Sequence, residues 1–428
     1  MRLSEGEGAQ KILGLGLTPW PFVCEEKAAP SARTVAPIAL LSPYLPAPPH
    51  SGGRIRIHRF AEALAVHFDV HLFASADRYE IREHLTAPEL AMYASVHVEH
   101  RRLAFVPGLS PPARVRAVTP GRLVRAFWRA DRRARFAAAV VEHSHAAAIL
   151  RRGRRIPWLL DEHNIESDYA AARSRAQRFP GIALRLREIP ALERWEQGLW
   201  KDANEVVCVS PQDAERVERV RGRDVAVIPN GVAVDEVPFR KPSERSGHEI
   251  LFVGILEHPP NVAAAQWLAR EILPRVVARE PRATLVLCGS RPSRAVLDLS
   301  SERVTVTGRV PSVTPYLERA AVYANALQHG AGSSLKVLEA LASGVPLVST
   351  TIGARGFELA SPEHYLRADD TEAFVRHVLA VYRDRPSRDA AAERGRVVAE
   401  AYGWARLSAR FVELVSRISV ELADPRRS

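Results

Sequence analysis

Two glycine-rich segments of the sequence have the composition of turns that bind phosphate. The first spans residues 48–54 and contains Gly52 and Gly53, and the second opens at residue 330. The glycine and hydroxyl positions of the second segment are Gly330, Gly332, Ser333 and Ser334. Glycine lets a ligand approach the backbone, and the first N–H groups of a following helix are free to bind an anion. Each segment therefore predicts an anion site, although such turns also form for steric reasons alone.

Charged side chains accompany both turns. Arg54 directly follows the first turn, Lys336 lies in the first helical turn predicted after the second, and Glu339 follows three residues later. A lysine could neutralise a phosphate, and a carboxylate could accept hydrogen bonds from both hydroxyls of a ribose. A lysine and a glutamate at this spacing also occur as a simple pair on a helix surface, so the pattern leaves both interpretations open.

Polar residues follow two predicted strands. His163 lies in the polar segment 161–166, after a strand predicted at 158–161, and could bind a sugar hydroxyl or transfer a proton. Gly254 ends a strand predicted at 250–254, and His258 and Asn261 lie in the loop that follows. Asn261 also suits the N-cap of the next helix, which would explain it without a ligand.

The sequence predicts no metal site and no resident cofactor. The adjacent carboxylates Asp369 and Asp370 precede a helical pattern and are typical of a helix N-terminus. The three cysteines, Cys24, Cys208 and Cys288, are far apart, and the latter two end apolar runs typical of buried strands.

Apolar strand patterns alternate with helical patterns along most of the chain. Strands predicted at 37–42, 69–74 and 205–210 precede a polar segment at 240–248, and the alternation then restarts. Alternating strands and helices indicate parallel sheets that bind ligands at the carboxyl ends of their strands. We predict an α/β fold with two Rossmann-like domains, at 35–239 and 240–403, that face a central cleft. Residues 1–34 are predicted to be an irregular extension, and the helix in 404–428 to pack back on the first domain.

The chain is basic, with a formal net charge of +11 over 428 residues. Arginine is concentrated in residues 101–156, where it alternates with apolar side chains. This segment could bind an anionic membrane surface, or it could be a solvated helical face. Motifs of nucleic-acid-binding modules do not accompany it, so we expect no nucleic-acid partner.

Several segments in order resemble the family-four retaining glycosyltransferases of the GT-B fold. The matching text is PPHSGGRIR (48–56), DEHNIE (161–166), VSPQD (209–213), VIPNGV (227–232), TGRVP (307–311) and LEALASGVPLVST (338–350). The order and spacing fit across about residues 38–415. The chain most resembles the subgroup found in bacterial polysaccharide and exosortase-associated gene clusters.

The resemblance implies an enzyme that transfers a sugar from a nucleotide-sugar donor to a glycan or lipid-linked acceptor with retention and without metal. The three separate cysteines fit a cytoplasmic location, and the arginine-rich segment would allow a peripheral position at the inner face of the membrane. The resemblance also implies that His163 lies near the transferred sugar, that Lys336 supplies the cation in catalysis, and that Glu339 holds the donor ribose. Ala331 stands where the family has a first glutamate, and His258 and Asn261 lie where an arginine and a lysine are usual. The implied donor-binding residues are Gly52, Gly53, Arg54, Gly254, His258, Asn261, Gly330, Gly332, Ser333, Ser334 and Glu339.

Two alternatives stay open on the same fold. A nucleotide-sugar epimerase or hydrolase would turn over a donor without an acceptor. A non-catalytic scaffold that binds sugar or lipid would bind without turnover, and Ala331 favours it.

Overall fold

The computed structural model describes residues 24–26, 35–101, 112–151, 153, 155–176, 187–329 and 335–420. Its strands are β1 (Cys24–Glu26), β2 (Pro37–Ser42), β3 (Asp69–Ala76), β4 (Ser95–His100), β5 (Ala138–Glu142), β6 (Trp158–Glu162), β7 (Glu205–Cys208), β8 (Ala226–Val227), β9 (Glu249–Val253), β10 (Thr284–Cys288), β11 (Val304–Gly308), β12 (Ala320–Asn325), β13 (Leu347–Ser349) and β14 (Leu366–Arg367).

Helices connect these strands. They are α1 (Gly52–Ala65), α2 (Arg78–His84), α3 (Ala113–Val118), α4 (Gly121–Ala134), α5 (His143–Ala146), α6 (Glu166–Ala176), α7 (Ile189–Asp202), α8 (Pro211–Arg221), α9 (Pro259–Trp267), α10 (Leu273–Val277), α11 (Arg294–Leu297), α12 (Thr314–Arg319), α13 (Leu335–Ser343), α14 (Thr351–Ala354), α15 (Thr371–Arg383), α16 (Asp389–Ala401) and α17 (Trp404–Val420).

The first sheet has the strand order β1-β4-β3-β2-β5-β6-β7-β8. Every pairing from β4 to β8 is parallel, and β1 pairs antiparallel with β4 at the edge. The parallel part has the order of a doubly wound fold, in which the chain reverses direction across the sheet between its first and fourth strands. That reversal lies between β2 and β5.

The second sheet has the order β11-β10-β9-β12-β13-β14, and all its pairings are parallel. Its point of reversal lies between β9 and β12. Buried apolar side chains of β9, β10 and β12 pack against α9 and α15 on one face and against α13 on the other. The predicted class, two Rossmann-like α/β domains, is confirmed.

The last described helix, α17, packs on the first domain. Phe411 stacks on Phe60 of α1 with ring centroids 4.1 Å apart, and Trp404 meets Phe60 edge-on. Leu335, the first residue of α13, also packs against this apolar cluster. Side chains from the second half of the chain therefore help to build the core of the first domain.

Several elements depart from the sequence predictions. The strands β4 and β5 were not predicted, and β5 lies inside the arginine-rich segment 101–156. A short strand at Cys24–Glu26 lies within the extension predicted to be irregular. The helix predicted to follow Asn261 is interrupted by a π-helical turn at Leu268–Ile272, because Pro274 lacks the N–H that a regular helix would use there.

Asn261 is not the N-cap that its residue type suggested. His258 occupies the cap position, and α9 begins at Pro259. A proline suits the first helical turn, whose N–H groups have no partner within the helix, so the two prolines start the helix earlier than Asn261 would. The Asn261 side chain is thereby free for the loop after β9, where it donates to the Ile255 carbonyl at 2.9 Å.

Candidate active site

The point of reversal in the first sheet carries a buried polar cluster. Tyr44 follows β2, and Glu142 ends β5 beside Asp161 of β6 in the sheet register. Because parallel strands end at one edge of the sheet, these side chains meet where open α/β sheets bind ligands.

Arg56 and Asp161 form a fully buried ion pair at this edge. The Arg56 guanidinium donates two hydrogen bonds of 2.7 Å to the Asp161 carboxylate, and both side chains are inaccessible to solvent. A third bond from Arg56 reaches the Pro229 carbonyl at 3.1 Å. Burial alone would raise the pKa of Asp161, but Arg56 and His163 hold it well below its usual range. Asp161 therefore stays charged at any physiological pH.

His163 is held through one ring nitrogen. Its Nε2 lies 2.8 Å from a Glu142 carboxylate oxygen and 3.2 Å from an Asp161 oxygen. Burial and the Asp161 charge raise the pKa of Glu142 well above its usual range. The other nitrogen, Nδ1, lies on the side of Gly53, where a Cβ would come within 3.4 Å of it. The carboxylates thus fix the ring and turn Nδ1 toward the first turn of α1.

Glu142, Asp161 and His163 offer the ligand types of a metal site, and their ligand atoms lie within 4.8 Å of one another. Arg56, however, bonds both oxygens of Asp161. A metal ion that used Asp161 would have to displace this guanidinium from a fully buried pair. The group is therefore better suited to orient His163 than to bind an added cation.

The second point of reversal holds Gly254, Asn261 and Lys336. A Cβ on Gly254 would lie 2.7 Å from the Asn261 amide nitrogen and 3.1 Å from Lys336 Nζ. Lys336 Nζ is 3.4 Å from Asn261 Oδ1 and 5.3 Å from the centre of the Phe252 ring. Glycine at position 254 is therefore what leaves space for the lysine to reach the carboxyl end of β9.

Lys336 and Glu339 are both half-buried on α13. Burial lowers the pKa of Lys336 to about 8, opposed by Glu339, and burial raises the pKa of Glu339 to about 7, opposed by Lys336. Each charged form is therefore costly in the ligand-free protein. An anion beside Lys336 and hydrogen-bond donors beside Glu339 would stabilise those charges.

The two clusters face each other through the N-termini of α1 and α13. A Cβ on Gly52, the first residue of α1, would lie 3.4 Å from the Leu335 side chain, which opens α13. The N-terminus of α1, where Ser51 makes no side-chain cap and the helix dipole is positive, therefore lies close to the first described turn of α13, between the domains.

Not every predicted site residue joins these clusters. Arg54 pairs with Glu80 of α2, so that its charge is already partly neutralised. His258 is exposed in the loop before α9. The residues Gly330, Gly332, Ser333 and Ser334 lie outside the described residues.

Four residues that were not predicted belong to the buried polar cluster at the point of reversal in the first sheet, which we call the N-terminal cluster. They are Tyr44, Arg56, Glu142 and His143. The apolar run before Glu142 was a signal for a strand, but the surrounding arginines obscured it. Arg56 was overlooked because its importance depends on which side of α1 faces the sheet.

Two family models match the chain. The model described as Glycosyltransferase Family 4 matches residues 50–236, and the one described as Glycosyl transferases group 1 matches residues 247–384. Together they account for about three quarters of the chain. Among curated proteins, an uncharacterized 44.6 kDa protein in the cps region of Klebsiella pneumoniae is 24% identical over 139 residues, which are 30% of this chain and 36% of that protein.

Solved structures with the same fold cover nearly all of the chain. Sucrose-phosphate synthase from Thermosynechococcus elongatus has a TM-score of 0.65 at 18% identity, over 91% of this chain and 100% of that one. HepE of Anabaena, solved with UDP and glucose, has a TM-score of 0.60 at 15% identity, over 89% and 99%. A glycosyltransferase from Rickettsia africae has a TM-score of 0.56 at 11% identity, over 90% and 99%.

At these identities the structural likeness establishes the fold, and the family models establish the relationship. Both halves of the chain match glycosyltransferase models, and the two sheets, their order and the cleft between them are those of the GT-B architecture. The chain belongs to the family-4 glycosyltransferases of the GT-B fold.

Proposed function

We propose that the protein binds a nucleotide-sugar donor between its two domains and transfers the sugar, with retention and without a metal ion, to a glycan or lipid-linked acceptor. The observation that carries this proposal is the convergence of the α1 and α13 N-termini beside Lys336. A diphosphate placed there would be bound by helix N–H groups from both domains and by the lysine ammonium.

The electrostatic demand of the reaction fits this arrangement. Glycosyl transfer passes through an oxocarbenium-like state while the leaving diphosphate gains negative charge. Fixed N–H groups and a poorly solvated ammonium stabilise such charge with little reorganisation, which is the role that a metal ion has in other transferases. Lys336 would provide the cation, and Glu339 would accept hydrogen bonds from the ribose hydroxyls.

His163 would contact the transferred sugar through Nδ1, the nitrogen on the side of Gly53. The leaving phosphate would take the proton of the acceptor hydroxyl on the same face of the sugar, which retains the anomeric configuration. HepE of Anabaena, which shares the fold, was solved with UDP-glucose, so a UDP-sugar is the first donor to test.

The site assignment is tested by Lys336→Ala and Glu339→Ala. We expect each to reduce kcat/KM by a factor equivalent to about 2–4 kcal/mol, the scale of a lost charge-assisted contact in the transition state. Lys241→Ala is the matched control, because Lys241 pairs with the exposed Glu393 on the surface of the same domain. Wild-type turnover in both site variants would refute the assignment.

Three further measurements separate the parts of the proposal. NMR of the first product formed from an α-configured donor gives the stereochemistry, and a β product would exclude retention. Turnover that disappears with a chelator and returns with a divalent cation would exclude the metal-independent mechanism. Binding of UDP-, GDP- and ADP-sugars without transfer to any lipid-linked acceptor would favour the non-catalytic scaffold.

We propose further that the enzyme acts in the cytoplasm and that the arginine face of α4 contacts an anionic membrane peripherally. Leu123, Ala126 and Phe127 are buried, while the opposite face of the helix is arginine-rich and exposed. The exposed arginines of α4 are Arg122, Arg125, Arg129, Arg132 and Arg133. No helix in the described part of the chain is long and apolar enough to cross a bilayer.

This contact predicts salt-sensitive binding to vesicles. Each arginine near an anionic surface contributes about 1 kcal/mol, so replacing Arg122, Arg125 and Arg129 by glutamine should nearly abolish co-sedimentation with phosphatidylglycerol vesicles. Vesicles of phosphatidylcholine alone are the control. Equal sedimentation of the triple variant and the wild type would exclude α4 as the contact.

A further inference from the structure

Tyr44 lies at the entrance to the N-terminal cluster and has no role in the mechanism proposed above. It follows β2, and Ser42 fixes the turn there, since its hydroxyl donates to the Tyr44 carbonyl at 2.5 Å and accepts from the Tyr44 N–H at 3.3 Å. The phenol ring is half-buried, with the Arg54 guanidinium 5.8 Å from its centre. The hydroxyl reaches the first turn of α1, where a Cβ on Gly53 would overlap it.

A hydrogen-bonded chain behind Tyr44 fixes the direction of its hydroxyl. The oxygen lies 3.0 Å from His143 Nε2, and His143 Nδ1 lies 2.9 Å from a Glu166 oxygen. Burial alone would raise the pKa of Glu166, but His145 and His143 hold it at about 2, so this carboxylate is charged at neutral pH. Burial and the neighbouring His163 lower the pKa of His143, so its ring is neutral. Glu166 therefore accepts the Nδ1 proton, and Nε2 in turn accepts the proton of Tyr44.

The backbone at His143 is in an uncommon conformation. Its φ of 61° lies in the left-handed region, which costs a residue other than glycine about 1–3 kcal/mol. This conformation places the imidazole between Tyr44 and Glu166, with its ring centre 4.0 Å from that of His163. Tyr44 and His163 thus flank Gly53 from the same side of the sheet edge.

With its proton committed to His143, the Tyr44 oxygen presents only lone pairs to the cleft. A phosphate oxygen carries no proton to donate and would be repelled, whereas a sugar hydroxyl could donate. We propose that Tyr44 is a specificity-determining contact that accepts a hydrogen bond from one hydroxyl of the donor's sugar, with His143 and Glu166 as positioning residues. This inference rests on the proposed function, because it takes the diphosphate to lie at the helix N-termini beside Gly53.

The test compares calorimetric binding of UDP-glucose and of UDP alone. Tyr44→Phe removes one hydroxyl. We expect it to lower the affinity for UDP-glucose by about 3- to 10-fold, the value of one hydrogen bond, and to leave the affinity for UDP unchanged. Tyr79→Phe is the matched control, because Tyr79 is exposed on α2 of the same domain. GDP-mannose with GDP and ADP-glucose with ADP replace the first pair if UDP-glucose does not bind the wild type.

Monodeoxy analogues of the bound donor identify the sugar hydroxyl that donates a hydrogen bond to Tyr44. One analogue should bind wild type and Tyr44→Phe equally, whereas the others retain the difference between the two proteins. Glu166→Gln should weaken sugar binding in the wild type but add little in the Tyr44→Phe background, with the melting temperature as a check on folding. A merely structural role would weaken UDP and UDP-glucose alike.

The outcomes separate this inference from the proposed function. Equal donor binding by wild type and Tyr44→Phe would overturn the role of Tyr44, and so would a difference in affinity between the two proteins that persists with every deoxy analogue. Either result would leave the glycosyltransferase proposal in place. Failure of all three nucleotide sugars to bind the wild type would overturn both.

Discussion

The two ends of the cleft hold their charges differently. In the N-terminal domain, Asp161 is bound by Arg56 through two hydrogen bonds of 2.7 Å, and both residues are fully buried. In the C-terminal domain, Lys336 lies 3.4 Å from the neutral side-chain oxygen of Asn261, and its pKa is lowered to about 8 by burial. The Asp161 charge is neutralised by a directly bonded guanidinium, whereas Lys336 has a weak hydrogen bond to a neutral group and is only partly compensated by Glu339.

This difference separates a positioning cluster from a binding group. Both members of a buried ion pair already have their hydrogen-bond partners, so removing one member destabilises the fold. The role of the pair is to hold neighbours such as His163 in position. The charge of the half-buried Lys336, whose hydrogen-bond partner is neutral, raises the free energy of the ligand-free protein. A bound anion would stabilise this charge. We therefore expect substitutions in the first cluster to affect stability most and those in the second to affect donor binding most.

The largest effect should come from Arg56→Met. It leaves the Asp161 charge buried without its partner, which typically costs about 3–5 kcal/mol of unfolding free energy. Urea denaturation followed by circular dichroism measures this loss. Arg59→Met on the same helix is the control, because Arg59 pairs at the surface with Glu236 and should change stability by about 1 kcal/mol or less. A similar loss in the two variants would contradict the comparison.

Lys336→Met should lower the affinity for the donor without lowering the stability of the fold. Methionine keeps the apolar stem and removes a poorly solvated charge, so the melting temperature should stay equal or rise. Affinity for the nucleoside diphosphate should fall by about 10- to 100-fold, because a charge-assisted hydrogen bond is worth about 1.5–3 kcal/mol. Calorimetry and thermal unfolding of one sample measure both. A large loss of stability without a loss of affinity would assign Lys336 to the structural cluster instead.

The pH dependence of binding should report the same lysine. A lysine in the unfolded chain has a pKa of about 10.4, whereas the pKa of Lys336 in the folded protein is about 8. Between these two pH values the unfolded chain binds more protons than the folded protein. The free energy of unfolding should therefore rise with pH over this interval. Diphosphate binds the protonated amine, so its affinity should fall by about tenfold from about pH 7 to about pH 9. Glu339, whose pKa is raised to about 7, also ionises near this interval, so Lys336→Met should retain only a small fall. An equal fall in the variant would place the titration elsewhere.

The smallest effect should come from Asn261→Asp. A carboxylate at this position would replace the neutral oxygen beside Lys336 Nζ by a charged one, which raises the lysine pKa but places a negative charge near the diphosphate. We expect affinity to fall by about 2- to 5-fold, an effect of about 1 kcal/mol or less for a partly solvated charge. Asn261→Ala separates the charge from the lost hydrogen bonds, and tighter diphosphate binding in Asn261→Asp would contradict the interpretation.

The sequence predicted the fold well because buried parallel strands are short apolar runs that alternate with helices. The strand at 37–42 was predicted and is confirmed. The strand β5 was missed because its five residues lie among arginines whose pattern dominates the segment. Glu142 and His143 were therefore not predicted either, and they reach His163 only because β5 and β6 are neighbours in the sheet.

The chain itself determined the alternation of elements, the glycine turns and the lysine and glutamate one turn apart on α13. The partners of the charges were decided by the tertiary structure. Arg54 stood out in the sequence, yet it forms a partly buried pair with Glu80 of α2, while Arg56 enters the core to bind Asp161. Residues two apart on a helix point to nearly opposite sides, and only the packing of α1 on the sheet decides which of them faces the site.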